Sequence, residues 1–506
     1  GNMTKVELSN EYKSVNYIYL ILLLFSIFQT ASIFYDIVQI HIYRHDALYY
    51  MPNANTYYKY RVASEGRWIV YGLFYFITKI PGNILSIFAL LSFGYFVFIS
   101  IYKWVENYYY ALILSLLFMQ IPSFYDLITW PATAAPAFLV LLVAISLQKK
   151  LNIFVFFIIF GILFFGTMSN YYYLLPLLYL NYFQKHNWKE SLKFTSYKLI
   201  SAWAIGFIVG YIVTQLILYV NFDHFLAIEA WRDPHYIHSM EDMYENILRS
   251  LRYLQRDIQS IFLNSWIILL FIFTLIVSTI DRRKDLIFIP LVLFSLIILI
   301  HYVIVLPVGI YIAPRTIVAT WVGILAILFF IPSIKQWQIY LLVPIIVFYT
   351  SILYLNNHNN MRWYANVTNI HFDKLISETP KDPKDYKGVI LYASDSDIQK
   401  RNNLISSINH TVKDSNITGQ GVPRAFMRWA PLAWEAGYKS VGNCNDKQSR
   451  NAAWHTIKDL NKICKEVSKF AENKKTLPIK NITFYNILGE YDGRLIIEFN
   501  DGWNQK

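Results

Sequence analysis

The residues best suited to chemistry are eight ionisable side chains that follow the first apolar segment of the chain. They are Asp36, Arg44, His45, Asp46, Lys59, Arg61, Glu65 and Arg67. A carboxylate can accept the proton of an attacking hydroxyl group, and a guanidinium can hold the phosphate oxygen of a leaving group. This density beside apolar sequence predicts a site that transfers a group from a lipid phosphate.

The elements that must position this site are membrane helices. Hydrophobic residues make up 56% of the chain and charged residues only 15%, and the mean hydropathy is +0.34. These values predict a multi-span membrane protein, because few soluble chains of this length are so apolar. We expect eleven spans, near 15–34, 83–102, 108–122, 132–148, 152–168, 170–184, 197–220, 262–280, 286–306, 317–332 and 338–355.

Basic residues in alternate short connections predict the topology. By the positive-inside rule, these connections face the cytoplasm together with the N-terminus, residues 1–14. The loops 35–82 and 221–261 then face outward from the transmembrane domain, 15–355, as does the tail, 356–506. The twelve basic residues in excess are spread over many loops, so no nucleic-acid-binding surface is expected.

Local patterns refine this plan. The amphipathic stretch Trp68 to Ile80 is too short to span a bilayer and predicts an in-plane helix that ends at Pro81-Gly82. The segments 152–168 and 170–184 are short enough to be half-depth helices. Ser239 and Asp242 form a capping-box-like start for a helix that continues with apolar residues to Ile258.

The tail predicts a small α/β domain. Gly388 begins a strand candidate, a helix is expected near Asp397, and two strands flank a turn at 490–494 as a hairpin. Cys444 and Cys464 are the only cysteines, and both lie on the predicted outer side. A disulfide is expected, contributing about 3 kcal/mol through chain entropy, with two buried free thiols as the alternative.

Three sequence features together resemble a known family of membrane enzymes. They are the acidic residue Asp46 in the first outer loop, the run Gly66-Arg67-Trp68, and Pro314-Arg315 at the outer end of a span. This arrangement resembles the serotype-converting O-antigen glucosyltransferases of enteric bacteria and their phages, of the GT-C class. Many relatives have an Asp-Asp pair where this chain has His45-Asp46, which leaves Asp36 and Glu65 open as alternative bases.

The resemblance implies an inverting transfer of glucose from undecaprenyl phosphate glucose to a sugar of lipid-linked O-antigen. It places the reaction at the periplasmic face of the bacterial inner membrane, with membrane lipids and these two substrates as partners. Asp46 would be the general base, with Arg67, Arg315, Arg61 and Arg44 on the donor phosphate. No cofactor is expected, although the three acids could instead ligate a divalent ion.

Further candidates for sugar and acceptor contact combine aromatic and hydrogen-bonding side chains. They are Asn170, Tyr171, Tyr172, Trp68, Arg424 and Trp429. Each candidate also has a structural interpretation: a solvated acid for Asp46, a surface ion pair for Glu65 with Arg67, and a headgroup anchor for Arg315.

Two other functions remain open. An O-antigen polymerase or ligase, or another lipid-linked sugar transferase, would have much the same sequence features. A flippase or transporter fits less well, because the spans are almost free of charge and the halves show no similarity. The chain has no phosphate-binding loop, no nucleophile elbow and no zinc motif.

Overall fold

The computed structural model is mostly helical with one small sheet. It describes residues 5–39, 50–51, 54–262, 272, 288–331, 336–377, 379–392, 426–444, 457, 460–474, 480–481 and 485–499. The helices before the tail are α1 Lys5–Val38, α2 Ala54–Glu65, α3 Trp68–Gly72, α4 Phe74–Ile77, α5 Gly82–Val105, α6 Tyr108–Phe118, α7 Pro122–Leu127, α8 Pro131–Leu147, α9 Ile153–Phe165, α10 Leu180–Lys185, α11 Trp188–Phe194, α12 Ile200–Phe222, α13 Met240–Phe262, α14 Phe288–Ile304, α15 Val318–Phe329 and α16 Gln336–Ser377.

Four helical stretches are long and apolar enough to cross a membrane. They are Asn16–Val38, Gly82–Val105, Trp188–Phe222 and Gln336–Arg362. Five other predicted spans are shorter apolar helices. Helix α6, for example, has 11 residues and a length of about 17 Å, less than the bilayer core. The predicted span 262–280 lies almost wholly outside the described residues. The chain is therefore a membrane protein, while eleven spans are not shown.

The predicted helix from Trp68 to Ile80 forms as two short helices, α3 and α4, separated at Leu73. Pro81 is the N-cap residue of α5, which begins at Gly82. The predicted helix 170–184 is instead a 3₁₀ helix, Ser169–Tyr179, followed by α10. Pro176 lies inside this 3₁₀ helix, where a residue without an amide hydrogen disfavours continuous α-helix.

The predicted cap of the loop helix is confirmed. The backbone N–H of Asp242 donates to Ser239 Oγ at 3.2 Å, and its carboxylate accepts from the backbone N–H of His238 at 2.9 Å. Helix α13 runs to Phe262. Its buried Asp257 pairs with Arg256 at 2.8 Å and accepts a hydrogen bond from Tyr302 of α14. The hydrogen bond from Tyr302 joins α13 to α14.

The predicted α/β tail is confirmed in outline. Its elements are β1 Gly388–Leu391, α17 Phe426–Ala436, β2 Val441–Asn443, α18 Leu460–Lys474, β3 Lys480–Asn481, β4 Tyr485–Tyr491 and β5 Arg494–Phe499. The strand order is β2-β1-β5-β4-β3, with β1 parallel to both neighbours. Val389 packs with residues of α17, and Ile390 packs with residues of α18. The sheet therefore lies between two helices.

The predicted hairpin and the predicted disulfide of the tail are both confirmed. The hairpin forms around Asp492-Gly493, where both residues have positive φ. Cys444 and Cys464 form a disulfide that joins the end of β2 to α18. The helix predicted near Asp397 lies outside the described residues. Helix α16 continues through residue 356, where we expected the tail to begin.

The tightest helix contact in the membrane region depends on three glycines. A Cβ on Gly206 of α12 would lie 2.2 Å from the Phe157 carbonyl oxygen, and one on Gly210 would lie 2.4 Å from that of Gly161. A Cβ on Gly161 of α9 would lie 2.0 Å from the Gly206 carbonyl oxygen. The Gly-x-x-x-Gly spacing thus permits backbone contact between α9 and α12, as in many membrane helix pairs.

Gly206→Ala should therefore destabilise the protein by about 1–3 kcal/mol, because the new methyl group must push the helices apart. Thermal unfolding of the detergent-solubilised protein measures this loss. Gly72→Ala is the matched control, since a Cβ there meets nothing within 4 Å. Equal unfolding temperatures for the two variants would contradict the proposed contact.

Candidate functional site

The structure places Glu65 among arginines at the end of α2. Its carboxylate pairs with Arg61 of the preceding turn at 3.2 Å and with Arg67 just beyond the helix. The Glu65 side chain is only 10% exposed. This is more burial than a solvated surface ion pair would have, so the structural interpretation of this pair as an ordinary surface contact does not fit.

The turn between Glu65 and Arg67 is made possible by Gly66. Its φ is +75°, a conformation that side-chain-bearing residues rarely adopt. A Cβ here would also lie 3.1 Å from Thr214 of α12. The same Thr214 accepts a hydrogen bond from the indole of Trp68 at 3.3 Å. The Gly-Arg-Trp run is therefore held against α12, with Arg67 turned back toward Glu65.

Two further arginines lie within electrostatic range of Glu65. Burial alone would raise the pKa of Glu65, but Arg61, Arg67, Arg232 and Arg315 together lower it to about 2. Arg61, Arg67 and Arg315 are the described members of the predicted phosphate-binding set, and the structure brings them together. Arg232 was missed by the sequence reasoning, because it lies in a long loop with no local motif.

Backbone hydrogen bonds explain how Arg232 reaches the cluster. The carbonyl oxygen of Arg232 accepts from the backbone N–H of Tyr311 at 2.8 Å, and the backbone N–H of His235 donates to Val308 at 2.7 Å. The loop after α12 therefore lies along the segment that leads to Arg315. The buried amide of Asn246 in α13 donates to the carbonyls of both segments, His235 at 2.8 Å and Leu306 at 2.9 Å.

Helix α13 holds the Arg315 segment at a second point. Arg256 Nη2 donates to the Ile312 carbonyl oxygen at 2.7 Å, and its guanidinium lies 4.9 Å from the ring centre of Tyr253 and 5.9 Å from that of Tyr311. Burial would lower the pKa of Arg256, but the carboxylate of Asp257 raises it overall. Arg256 is thus a positioning residue for the segment before Arg315.

The start of α8 also contacts the arginine cluster. Arg61 Nη2 donates to Thr133 Oγ1 at 3.4 Å, and the Arg315 guanidinium lies 6.0 Å from the Trp130 ring centre. Glu229 is the second carboxylate nearby and accepts from Tyr60 at 3.3 Å. Burial lowers the pKa of Arg232, Glu65 opposes this effect, and Arg67 adds to it by repulsion. Among the described side chains, four guanidinium groups thus meet two carboxylates.

Asp36 lies in a different cluster from Glu65. Its carboxylate, only 4% exposed, accepts a hydrogen bond from His358 Nδ1 at 2.6 Å. Asp46 and Arg44 lie outside the described residues, so their predicted roles stay predictions. Within the described ranges, no group of three or more His, Cys, Asp or Glu side chains converges in the manner of a metal site.

The sugar-binding candidates separate into two groups. Tyr171 and Tyr172 are buried in the helical core, where Tyr171 packs against Phe138 and the Tyr172 hydroxyl donates to the Trp203 carbonyl oxygen at 2.5 Å. Neither ring offers a face for a sugar in this structure. Asn170 is partly exposed at the start of the 3₁₀ helix, close in sequence to Gly166.

Gly166 connects this turn to the Gly-Arg-Trp run. Its carbonyl oxygen accepts from the backbone N–H of Ile69 at 3.0 Å, and a Cβ on Gly166 would lie 2.8 Å from the Trp68 ring. Trp68 therefore packs beside the turn that leads to Asn170. Arg424 and the side chain of Trp429 lie outside the described part of the tail.

Comparisons with protein families, with characterised proteins and with solved structures found no match to this chain.

Glu65→Gln should destabilise the protein by about 3–5 kcal/mol at pH 7, because it removes the anion shared by Arg61 and Arg67, whose side chains are only 12% and 22% exposed. The low pKa of Glu65 means that this contribution is present above pH 4.5 and is lost as the pH falls toward 2. Unfolding curves of wild type and Glu65→Gln at pH 7 and pH 3 measure the difference in their free energies of unfolding, which should be smaller at pH 3. Glu241→Gln, at an exposed position, is the control, and a difference independent of pH would contradict the ion pairs.

Proposed function

We propose that this membrane protein is a glycosyltransferase that moves glucose from undecaprenyl phosphate glucose to lipid-linked O-antigen. The observation that carries the proposal is the cluster of four arginines around Glu65. The identity of sugar, carrier and acceptor comes from the family resemblance of Gly66-Arg67-Trp68 and Pro314-Arg315. Without cofactor, the arginines would supply the positive charge that the reaction needs.

The charge change of the reaction matches such a cluster. A sugar joined to a polyprenyl phosphate leaves one negative charge on the phosphate, and its transfer leaves a monoester with up to two. Guanidinium groups fixed beforehand stabilise the developing charge without reorganising during the reaction. Arg61, Arg67, Arg232 and Arg315 are held by ion pairs, a ring contact and backbone bonds, so they fulfil this condition.

Glu65 is better suited to hold arginines than to accept a proton. A carboxylate whose pKa is about 2 is a weak base, because its charged form is strongly stabilised by Arg61 and Arg67. Asp46, the base predicted from the sequence, lies outside the described residues. We therefore assign Glu65 a positioning role.

The proposal also includes an orientation. The arginine cluster and the tail would face the periplasm across the inner membrane, where lipid-linked O-antigen is accessible. Basic connections on the opposite side support this orientation. Cys444 and Cys464 support it as well, since disulfides persist in an oxidising compartment.

The decisive experiment incubates purified protein with undecaprenyl phosphate [¹⁴C]glucose and lipid-linked O-antigen, with EDTA present. Wild type should form a new glucosidic bond. Arg67→Ala, Arg232→Ala and Arg315→Ala should each lower the rate about 10²–10³-fold, as loss of a fixed donor to a developing anion does. Arg252→Ala, at an exposed position of α13, is the matched control and should transfer at the wild-type rate.

Other outcomes would point to other functions. Polymerised O-antigen, or its transfer intact to a lipid core, would identify a polymerase or ligase instead. Movement of labelled lipid across a proteoliposome membrane without a new glycosidic bond would identify a flippase. If the three cluster variants transferred glucose as fast as Arg252→Ala, the arginines would have no role in the transfer and the proposal would be wrong.

A further inference from the structure

Another ionisable pair, Asp36 with His358, has the geometry of an oriented proton acceptor. His358 Nδ1 donates to the Asp36 carboxylate at 2.6 Å. When Nδ1 carries the proton, Nε2 presents a lone pair, which is how a carboxylate prepares a histidine for base catalysis. Asp36 is 4% exposed, whereas the His358 side chain is 24% exposed. The exposed part of this pair is thus the imidazole.

The surroundings of the imidazole restrict its orientation. Tyr354, one turn earlier in α16, stacks on the His358 ring with centres 5.5 Å apart and planes 19° apart. Arg362, one turn later, lies within electrostatic range of Asp36, as does Tyr125 of α7. These charged and titratable groups lie near the pair on α7 and α16.

The pair and the arginine cluster lie against the same short segment, Gln120 to Trp130. Asn357, the neighbour of His358, donates to the Gln120 carbonyl oxygen at 2.7 Å. At the other side, Ser123 Oγ donates to the Pro314 carbonyl oxygen at 2.5 Å, and Trp130 contacts Arg315. Helix α7, which has 6 residues and is about 9 Å long, lies within this segment.

We propose that His358 is the general base of the transfer and that Asp36 is its positioning residue. This inference rests on the proposed function. The acceptor hydroxyl oxygen attacks the anomeric carbon and forms the new C–O bond, while the bond from that carbon to the phosphate oxygen breaks. The electron pair stays on the phosphate, beside the arginines. The hydroxyl proton moves to His358 Nε2 and then to water.

The test must distinguish a catalytic role of the Asp36–His358 pair from a purely structural one, because other polar contacts also join α1 to α16. Gln29 Nε2 donates to Ser351 Oγ at 2.9 Å, and the Tyr19 hydroxyl donates to the Tyr340 carbonyl oxygen. Ser351→Ala breaks such a link without touching the pair and is the matched control. His358→Gln is the informative variant, since its amide can donate to Asp36 but cannot accept a proton.

His358→Gln and His358→Ala should lower kcat about 10²–10⁴-fold with little change in donor KM, as expected for loss of a general base. Added imidazole should restore part of the His358→Ala rate. Asp36→Asn should lower kcat by at least about tenfold, and Asp36→Glu should recover part of it. Ser351→Ala should transfer at the wild-type rate. Size-exclusion profiles and unfolding temperatures identify any variant that fails to fold.

The pH profile gives a second readout. A catalytic base loses activity when it is protonated, so kcat should fall on the acidic side of the wild-type profile. This acidic limb should disappear in His358→Gln. A folded His358→Gln variant with the wild-type kcat would overturn the inference. If Asp46→Asn also abolished transfer, Asp46 would be the base instead. Absence of transfer by wild type would instead count against the proposed function itself.

Discussion

The site depends on one buried carboxylate that is shared by guanidinium groups. An isolated charge in the position of Glu65 would cost several kcal/mol, and so would each buried arginine without an anion. Arg61 and Arg67 pair with Glu65 from either side of the turn at Gly66, whose φ is +75°. Because ion pairs already order these arginines, binding of the proposed donor phosphate would not have to fix their side chains.

The sequence predicted the local part of this site and missed the distant part. Glu65, Arg61 and Arg67 lie within two helical turns of one another, so spacing alone suggested a common site. Arg315 was found through its Pro-Arg context at a span end. Arg232 carried no such signal, because its position follows from backbone bonds to Tyr311 and from Asn246, whose buried amide joins two loops. Tertiary contacts of this kind have no sequence period.

The fold shows the same division. Hydropathy located the apolar helices and alternation located the hairpin, but neither predicted the 42 residues of α16, Gln336–Ser377. Its second half is rich in asparagine, which lowers hydropathy and suggested that the tail begins at 356. The helix continues because some of these residues are buried partners, as with Asn357, which donates to the Gln120 carbonyl oxygen at 2.7 Å. Likewise, Tyr171 and Tyr172 are candidates for sugar contact from the sequence, whereas their rings are buried in the core.

The continuity of α16 bears on the proposed transfer reaction. The same helix packs along α1, carries His358, and contacts α17 of the tail. A helix has a fixed rise of about 1.5 Å per residue, so it fixes the distance between the elements that it joins. A flexible linker would leave the position of the tail variable. A tail fixed in this way would hold an acceptor at a set distance from the imidazole. Orientation of this kind removes entropy from the reaction before the chemical step begins.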